Sequence, residues 1–184
     1  MSERYEAHES RWYGADAPHL FRYYVARGFI DVQDRVVDAA CSFGYGTNIL
    51  ARTMAESVIG LDYHSATVEK AKRTYSAPEF RLADLDSIKD DYPECDVTVS
   101  IETLEHLKNP LGFIKTAYDK TKKLFVVSTP IVPTMSGNEF HLHDWGPVEL
   151  EKLVTSAGWK IFHWCKQGDM YGIFIFRKPG YKDK

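Results

Sequence analysis

Apolar residues in this chain fall into two alternating rhythms. Short, nearly continuous β-branched or apolar runs occur at Arg35–Ala39, Ser57–Leu61, Phe80–Ala83, Val97–Ile101 and Leu124–Ser128. Between them, Thr47–Met54, Ser65–Tyr75 and Pro110–Tyr118 carry apolar residues near helical spacing. Strands that alternate with helices predict βαβ units and a parallel, doubly wound α/β sheet. Runs apolar throughout, not alternating, suit strands covered on both faces.

The last third changes rhythm. Pro147–Ala157 predicts a helix that stops at Gly158. Trp159–Cys165 and Tyr171–Arg177 then flank a hairpin-length loop containing Gly168, so an antiparallel pair should close the sheet. Residues 1–34 are expected to form an N-terminal cap, with Pro18–Gly28 its best helical segment. With no repeats and no linker, 184 residues make one domain, 1–184.

Composition narrows the partners. With 44% hydrophobic and 27% charged residues the chain is of ordinary globular type, and its net charge of −3 argues against a nucleic-acid partner. The densest basic run, Lys120, Lys122 and Lys123, reads as a solvated helix end. Cys41, Cys95 and Cys165 show no metal-ligand spacing, which suits reduced thiols. No apolar run approaches a membrane span and the N-terminus is polar, so a cytoplasmic protein with no membrane partner is expected. Nothing fixes an oligomeric state.

Chemistry concentrates after the first strand. Val36-Val37-Asp38 leads into Ala39-Ala40-Cys41-Ser42-Phe43-Gly44-Tyr45-Gly46, a turn of small residues that lets a ligand approach the backbone. A helix N-terminus just beyond favours an anionic group such as a carboxylate. Asp62 ends the second run, 24 residues after Asp38, where doubly wound proteins place an acid on ribose hydroxyls. Asp84 ends the third and can accept from an adenine amino group. Each Asp alone is equally a turn former or cap, but three in register with a small-residue loop point to a ligand crevice. The loop fits GxGxxG poorly and no P-loop is present. Tyr118-Asp119-Lys120-Thr121-Lys122 precedes the fifth run, and its Tyr-x-x-x-Lys match is coincidence.

Together these stretches resemble class I S-adenosylmethionine-dependent methyltransferases over nearly the whole chain. Val36–Gly46 is similar to the family's glycine motif, with Ala40 and Ser42 in two glycine positions. Ile59–Asp62 and Leu82–Leu85 resemble the ribose and adenine motifs, and Val99–Pro110 the ETLEHL stretch after strand four. Val127–Pro130, Asn138–His141 and His19–Tyr23 resemble a subgroup often found among glycan-modifying enzymes. The resemblance implies a seven-stranded sheet in order 3-2-1-4-5-7-6 with strand 7 antiparallel. It also implies S-adenosylmethionine held by Asp38, Ala40, Cys41, Gly44, Tyr45, Asp62, Tyr63, Asp84, Leu85 and Glu102. Ala40 and Ser42 would hold the methionine moiety less closely than glycine. No inserted cap domain is present, which leaves the acceptor pocket small or open.

Methyl transfer to a hydroxyl profits from a general base, and His106 and His141 are the candidates, with His143 nearby. Against this, His106 can simply bond a carbonyl, and one of His141 and His143 must face away from an extended segment. No metal is expected among these residues. A competing reading starts a helix at Glu102, which puts Glu102, Glu105 and His106 on one face and adds His141 as a fourth ligand for Mg²⁺, Mn²⁺ or Zn²⁺. That pattern resembles the metal site of small-RNA 3′-terminal 2′-O-methyltransferases, while related enzymes carry the same stretch without metal. The aromatics Tyr5, Trp12, Tyr13, Phe21, Tyr23 and Tyr24 form either a lid or a core stripe. The expected function is O-methylation of a small-molecule or sugar/glycan acceptor. An RNA-terminal methyltransferase and a non-catalytic S-adenosylmethionine-binding subunit are the alternatives.

Overall fold

The computed structural model describes residues 17–181. Seven strands form a sheet in the order β3-β2-β1-β4-β5-β7-β6. The chain divides into two compact units, Met1–Leu85 and Asp86–Lys184.

In the first unit, α1 (Ala17–Arg27) precedes three parallel strands, β1 (Arg35–Ala39), β2 (Ser57–Asp62) and β3 (Glu79–Leu82). They alternate with α2 (Tyr45–Ala51) and α3 (Ser65–Thr74). Four of the five β1 side chains are buried, as a strand covered on both faces requires. The backbone N–H of Thr67 donates to the His64 ring, 3.4 Å away, and thereby caps α3. Behind the loop that follows β1, Cys41, Val68, Ala71 and Phe80 pack as one apolar cluster.

In the second unit, β4 (Cys95–Ile101) pairs in parallel with β5 (Thr121–Pro130). β7 (Tyr171–Arg177) pairs antiparallel with both β5 and β6 (Lys160–Gln167), with a register shift in the β6 pairing between Ile161 and His163. α4 (Pro110–Lys120) starts with proline in its first turn and an Asn109 side chain that accepts from Gly112 N–H at 3.0 Å. α5 (Pro147–Thr155) gives way to Gly158, whose φ of 105° suits glycine alone. Trp159, Phe113, Phe125, Phe174 and Phe176 are fully buried here, so much of the aromatic content is core.

Two local expectations change. Only Lys120 belongs to a helix end; Lys122 and Lys123 lie in β5, where pairing with β4 carries the strand three residues earlier than its apolar run. No helix begins at Glu102. That residue has a φ of 51°, and only a 3-10 turn, Leu104–His106, follows. A left-handed residue stops a helix at that point, so the one-face alignment of Glu102 with Glu105 and His106 is lost. Among the described residues no helix is long and apolar enough to cross a membrane.

Candidate functional site

In the first unit the loop between β1 and α2 is built from alternating left-handed residues: Ala40 (φ 64°), Ser42 (φ 49°) and Gly44 (φ 82°). For non-glycine residues this backbone costs about 1–2 kcal/mol each, so surrounding contacts must impose it. The contacts are visible. Cys41 N–H donates to the Leu61 carbonyl at 2.8 Å, Ser42 N–H to the Asp62 carboxylate at 3.0 Å, and Gly44 N–H to the Cys41 carbonyl at 2.9 Å. Ala40 and Ser42 thus adopt a glycine-type turn without being glycine. A Cβ on Gly44 would strike Phe80 and Ala71, and one on Gly46 would enter the Tyr23 ring.

Asp38 is buried beneath this turn and accepts from Thr47 Oγ1 at 2.7 Å and Tyr23 OH at 3.4 Å. Burial, opposed by those two bonds, lifts its carboxyl to about 7. Tyr45 is held inside: its OH lies 2.6 Å from His19 Nδ1 and its ring meets Tyr23 edge-on. Cys41 is buried too, and that burial pushes its thiol far above the usual range. The second acid, Asp62, accepts from Ser42 N–H and from His64 N–H at 2.9 Å, joining the loop to the end of β2. Next to it Tyr63 is 62% exposed. Asp84 is exposed and Leu85 buried.

The donor chemistry of this loop suits a small ligand. The Ser42 hydroxyl is buried with no hydrogen-bond partner among the described residues, an orphan that a ligand's polar atom would satisfy. Asp62 is a carboxylate at the end of β2, and an acceptor-only group of that kind suits a diol. Ala40, Ser42, Gly44, Asp62 and Tyr63 therefore suit the ribose and methionine portions of S-adenosylmethionine. Of the expected residues, Asp38, Cys41 and Tyr45 support the loop from within.

In the second unit Ser128 carries both ends of a bracket around Glu102. Its carbonyl accepts from Glu102 N–H at 2.9 Å, and its hydroxyl donates to the Glu102 carboxylate at 2.7 Å. Glu105 is buried; it accepts from Thr129 Oγ1 at 3.0 Å, and its carbonyl accepts from Leu142 N–H at 2.7 Å. His106 Nδ1 lies 2.9 Å from the Phe140 carbonyl and His141 Nδ1 lies 2.6 Å from Thr134 Oγ1. The two rings meet edge-on with centroids 4.7 Å apart. The structure thus brings His106 and His141 together. His143 is engaged elsewhere: Nε2 donates to the Leu107 carbonyl and the ring stacks on Trp145.

Sequence reasoning missed Thr47, Thr134 and Asp144. Thr47 follows the last loop glycine, where a hydroxyl one helical turn in can reach back to a strand-end acid. Thr134 and Asp144 lie ten residues apart in an irregular segment and carry no periodic signal. Tyr5, Trp12 and Tyr13 lie outside the described residues; of the other aromatics, Tyr23 is core, Tyr24 half-buried and Phe21 exposed.

Comparison with known proteins supplies a context for this geometry. Residues 37–124 match the methyltransferase domain family. A relative from Mycolicibacterium smegmatis, described as a probable S-adenosylmethionine-dependent methyltransferase, is 31% identical over 147 residues. The match covers 76% of this chain and 54% of the relative, so the chain spans about half the length of that protein. An S-adenosylmethionine-dependent methyltransferase from Mesorhizobium loti shares the fold with a TM-score of 0.74 at 15% identity, over 85% of this chain and 98% of the other. Magnesium protoporphyrin IX methyltransferase from Synechocystis PCC 6803, with bound S-adenosylhomocysteine, superposes with a TM-score of 0.72 at 17% identity, over 89% and 84%. The sheet order read from the resemblance is the one observed, with β7 antiparallel.

Proposed function

We propose, for a chain that belongs to the class I S-adenosylmethionine-dependent methyltransferases, that it methylates an oxygen of a small-molecule or sugar acceptor. The observation that carries this reading is the β1–α2 loop, which keeps a glycine-type shape at Ala40 and Ser42 and stays bonded to Asp62. A loop that had lost its ligand role would have little reason to hold two non-glycine residues at positive φ.

Bound at this loop, S-adenosylmethionine would supply a methyl group already activated on a sulfonium sulfur. The protein's part is then chiefly placement, which contributes roughly 7–11 kcal/mol in well-oriented reactions. Asp62 takes the ribose diol, and Ser42 Oγ bonds the methionine portion. Tyr63, Asp84 and Leu85 would take the adenine side. Glu102 is a further proposed cofactor residue, and Ser128 fixes its carboxylate. Asp38 acts through Thr47 and Tyr23 as a positioning residue.

His106 or His141 removes the acceptor proton. A backbone carbonyl only accepts, so the 2.9 Å contact to Phe140 makes His106 Nδ1 the protonated nitrogen and leaves a lone pair on Nε2. That lone pair is the feature a general base needs. An oxygen acceptor gains from such a base more than a sulfur or amine does, and this favours O-methylation. The subgroup resemblance of Val127–Pro130 and Asn138–His141 favours sugars among oxygen acceptors.

The test has two parts on one preparation. Titration with S-adenosylhomocysteine should show 1:1 binding, and labelled S-adenosylmethionine should deliver its methyl group to members of a panel of monosaccharides, nucleotide sugars and phenols. Absence of binding would overturn the whole reading. Binding with no transfer to any oxygen acceptor would leave a non-catalytic binding subunit.

A further inference from the structure

Within the second unit, Glu105, His106 and His141 each offer one ligand atom, and those atoms all lie within 4.8 Å of one another. We infer that these three residues form a binding site for a divalent transition ion of the Zn²⁺ type. The site rests on the second unit alone. Its use in methyl transfer, but not its existence, depends on the reading above.

Three observations beyond proximity support it. First, both imidazoles are oriented from behind. His106 donates its Nδ1 proton to the Phe140 carbonyl. On the other ring, Thr134 Oγ1 lies 2.6 Å from His141 Nδ1, and the same hydroxyl reaches the Asp144 carboxylate at 3.2 Å. A carboxylate acceptor takes the threonine proton, so the threonine oxygen accepts from His141 Nδ1–H. Both rings therefore present an unprotonated Nε2, which is the state an ion requires. Outer partners of this kind, a carbonyl behind one histidine and a hydroxyl–carboxylate pair behind the other, are the usual supports of metal-bound imidazoles.

Second, Asp144 is itself anchored. Its Oδ1 accepts from the backbone N–H groups of Thr134 at 2.8 Å and Met135 at 3.2 Å. Those bonds hold its carboxyl below the ordinary range, so it remains a charged acceptor. Third, Glu105 is a carboxylate only 1% exposed, steadied by Thr129. Burial disfavours a lone charge on such a carboxyl, and a bound cation would favour its ionised form.

Glu102 does not belong to the set. Its left-handed backbone and its bond to Ser128 commit it elsewhere. The resulting N,N,O triad differs from the oxygen-rich cages of Mg²⁺ and Ca²⁺ and matches three-ligand sites that leave a fourth position open. An acceptor oxygen or a water would take that position; with the ion bound, both Nε2 lone pairs are committed to it, and the ion in place of a histidine base would acidify that oxygen.

The experiment uses the full chain after chelator treatment and dialysis. Calorimetric titration with ZnCl₂ and the visible absorption of the Co²⁺-loaded protein are the readouts, with S-adenosylhomocysteine binding followed on the same sample. The site predicts one ion per chain and Co²⁺ bands of four-coordinate intensity. Both should vanish in His141→Ala and in Glu105→Gln, the second a near-isosteric change that guards against misfolding. Thr134→Val retains every ligand and should weaken Zn²⁺ by roughly 10–100-fold. No heat in the parent protein, or titration unchanged by His141→Ala and Glu105→Gln, would overturn the site. In either case S-adenosylhomocysteine binding would show that the methyl-donor reading still stands.

Discussion

The backbone N–H of Ser42 donates to the Asp62 carboxylate across 3.0 Å, joining a loop residue in a left-handed conformation to the end of the neighbouring strand. One acid thus shapes the loop and, in the proposed complex, also receives the ribose. Replacement of Asp62 by Ala should strip both contributions. S-adenosylhomocysteine affinity is expected to fall at least about tenfold, and stability by about 1–3 kcal/mol from the unpaired amides. Calorimetry and denaturant unfolding measure the two separately. Undiminished affinity would remove Asp62 from the cofactor contacts.

Ser42→Gly should move stability and binding in opposite directions. Glycine relieves the positive φ and removes a buried hydroxyl that lacks a partner among the described residues, so the unfolding midpoint should rise by a few degrees. If Oγ bonds the methionine portion, affinity for S-adenosylhomocysteine should drop in the same protein. A rise in both would show that the hydroxyl serves no ligand.

Gly46→Ala tests the floor beneath the loop. Its new methyl would enter the ring of Tyr23, which is 2% exposed and already packed against Tyr45. Overpacking of this kind costs typically about 1–3 kcal/mol. A clear loss in thermal midpoint is expected, and a neutral result would mean that α1 can withdraw from α2 freely.

Asp38 predicts a pH dependence with a definite sign. Its carboxyl is lifted from an ordinary 3.8 to about 7, so the folded state holds this proton over a range where the unfolded chain releases it. The contribution is full below about pH 4 and is lost as pH rises through 7, weakening the fold by up to about 4 kcal/mol. Chemical unfolding between pH 4 and 8 should show that decline, and Asp38→Asn should flatten it. An unchanged slope would assign the decline to other groups.

Thiol titration offers a simpler check. Cys41 and Cys95 are buried, whereas Cys165 on β6 is half-exposed. One thiol should react promptly with a disulfide reagent in the native protein, and three after unfolding.

What could be read from residues alone depended on how local its cause was. β1 and β7 were expected at the bounds they have, because each is a compact apolar run ended by turn residues. β5 begins earlier than its apolar run, since Thr121 pairs with Cys95 across the sheet and no local preference announces that. The ligand loop was legible through Asp38 and Asp62, but not the fact that Ala40 and Ser42 would take up glycine's backbone angles. That comes from hydrogen bonds to Leu61 and Asp62, a strand away. Spacing alone allows a helix from Glu102, because it cannot register a left-handed residue held by Ser128. The ring contact between His106 and His141 follows from the path of residues 131–146, an irregular segment whose course no periodic pattern reveals.

An open sheet has two lateral strands, and their outward main-chain groups can template the addition of a strand from another molecule. Here those strands are β3 and β6. Glu79 and Arg81 place a bonded charge pair along β3, and exposed Lys160 and Lys166 stand near the two ends of β6, on either side of the irregular register at Ile161–His163. Between the lysines Phe162 and Trp164 remain 41% and 38% exposed. Lys160 and Lys166 thus guard the β6 edge, and neutralising both should favour growth of the sheet from chain to chain.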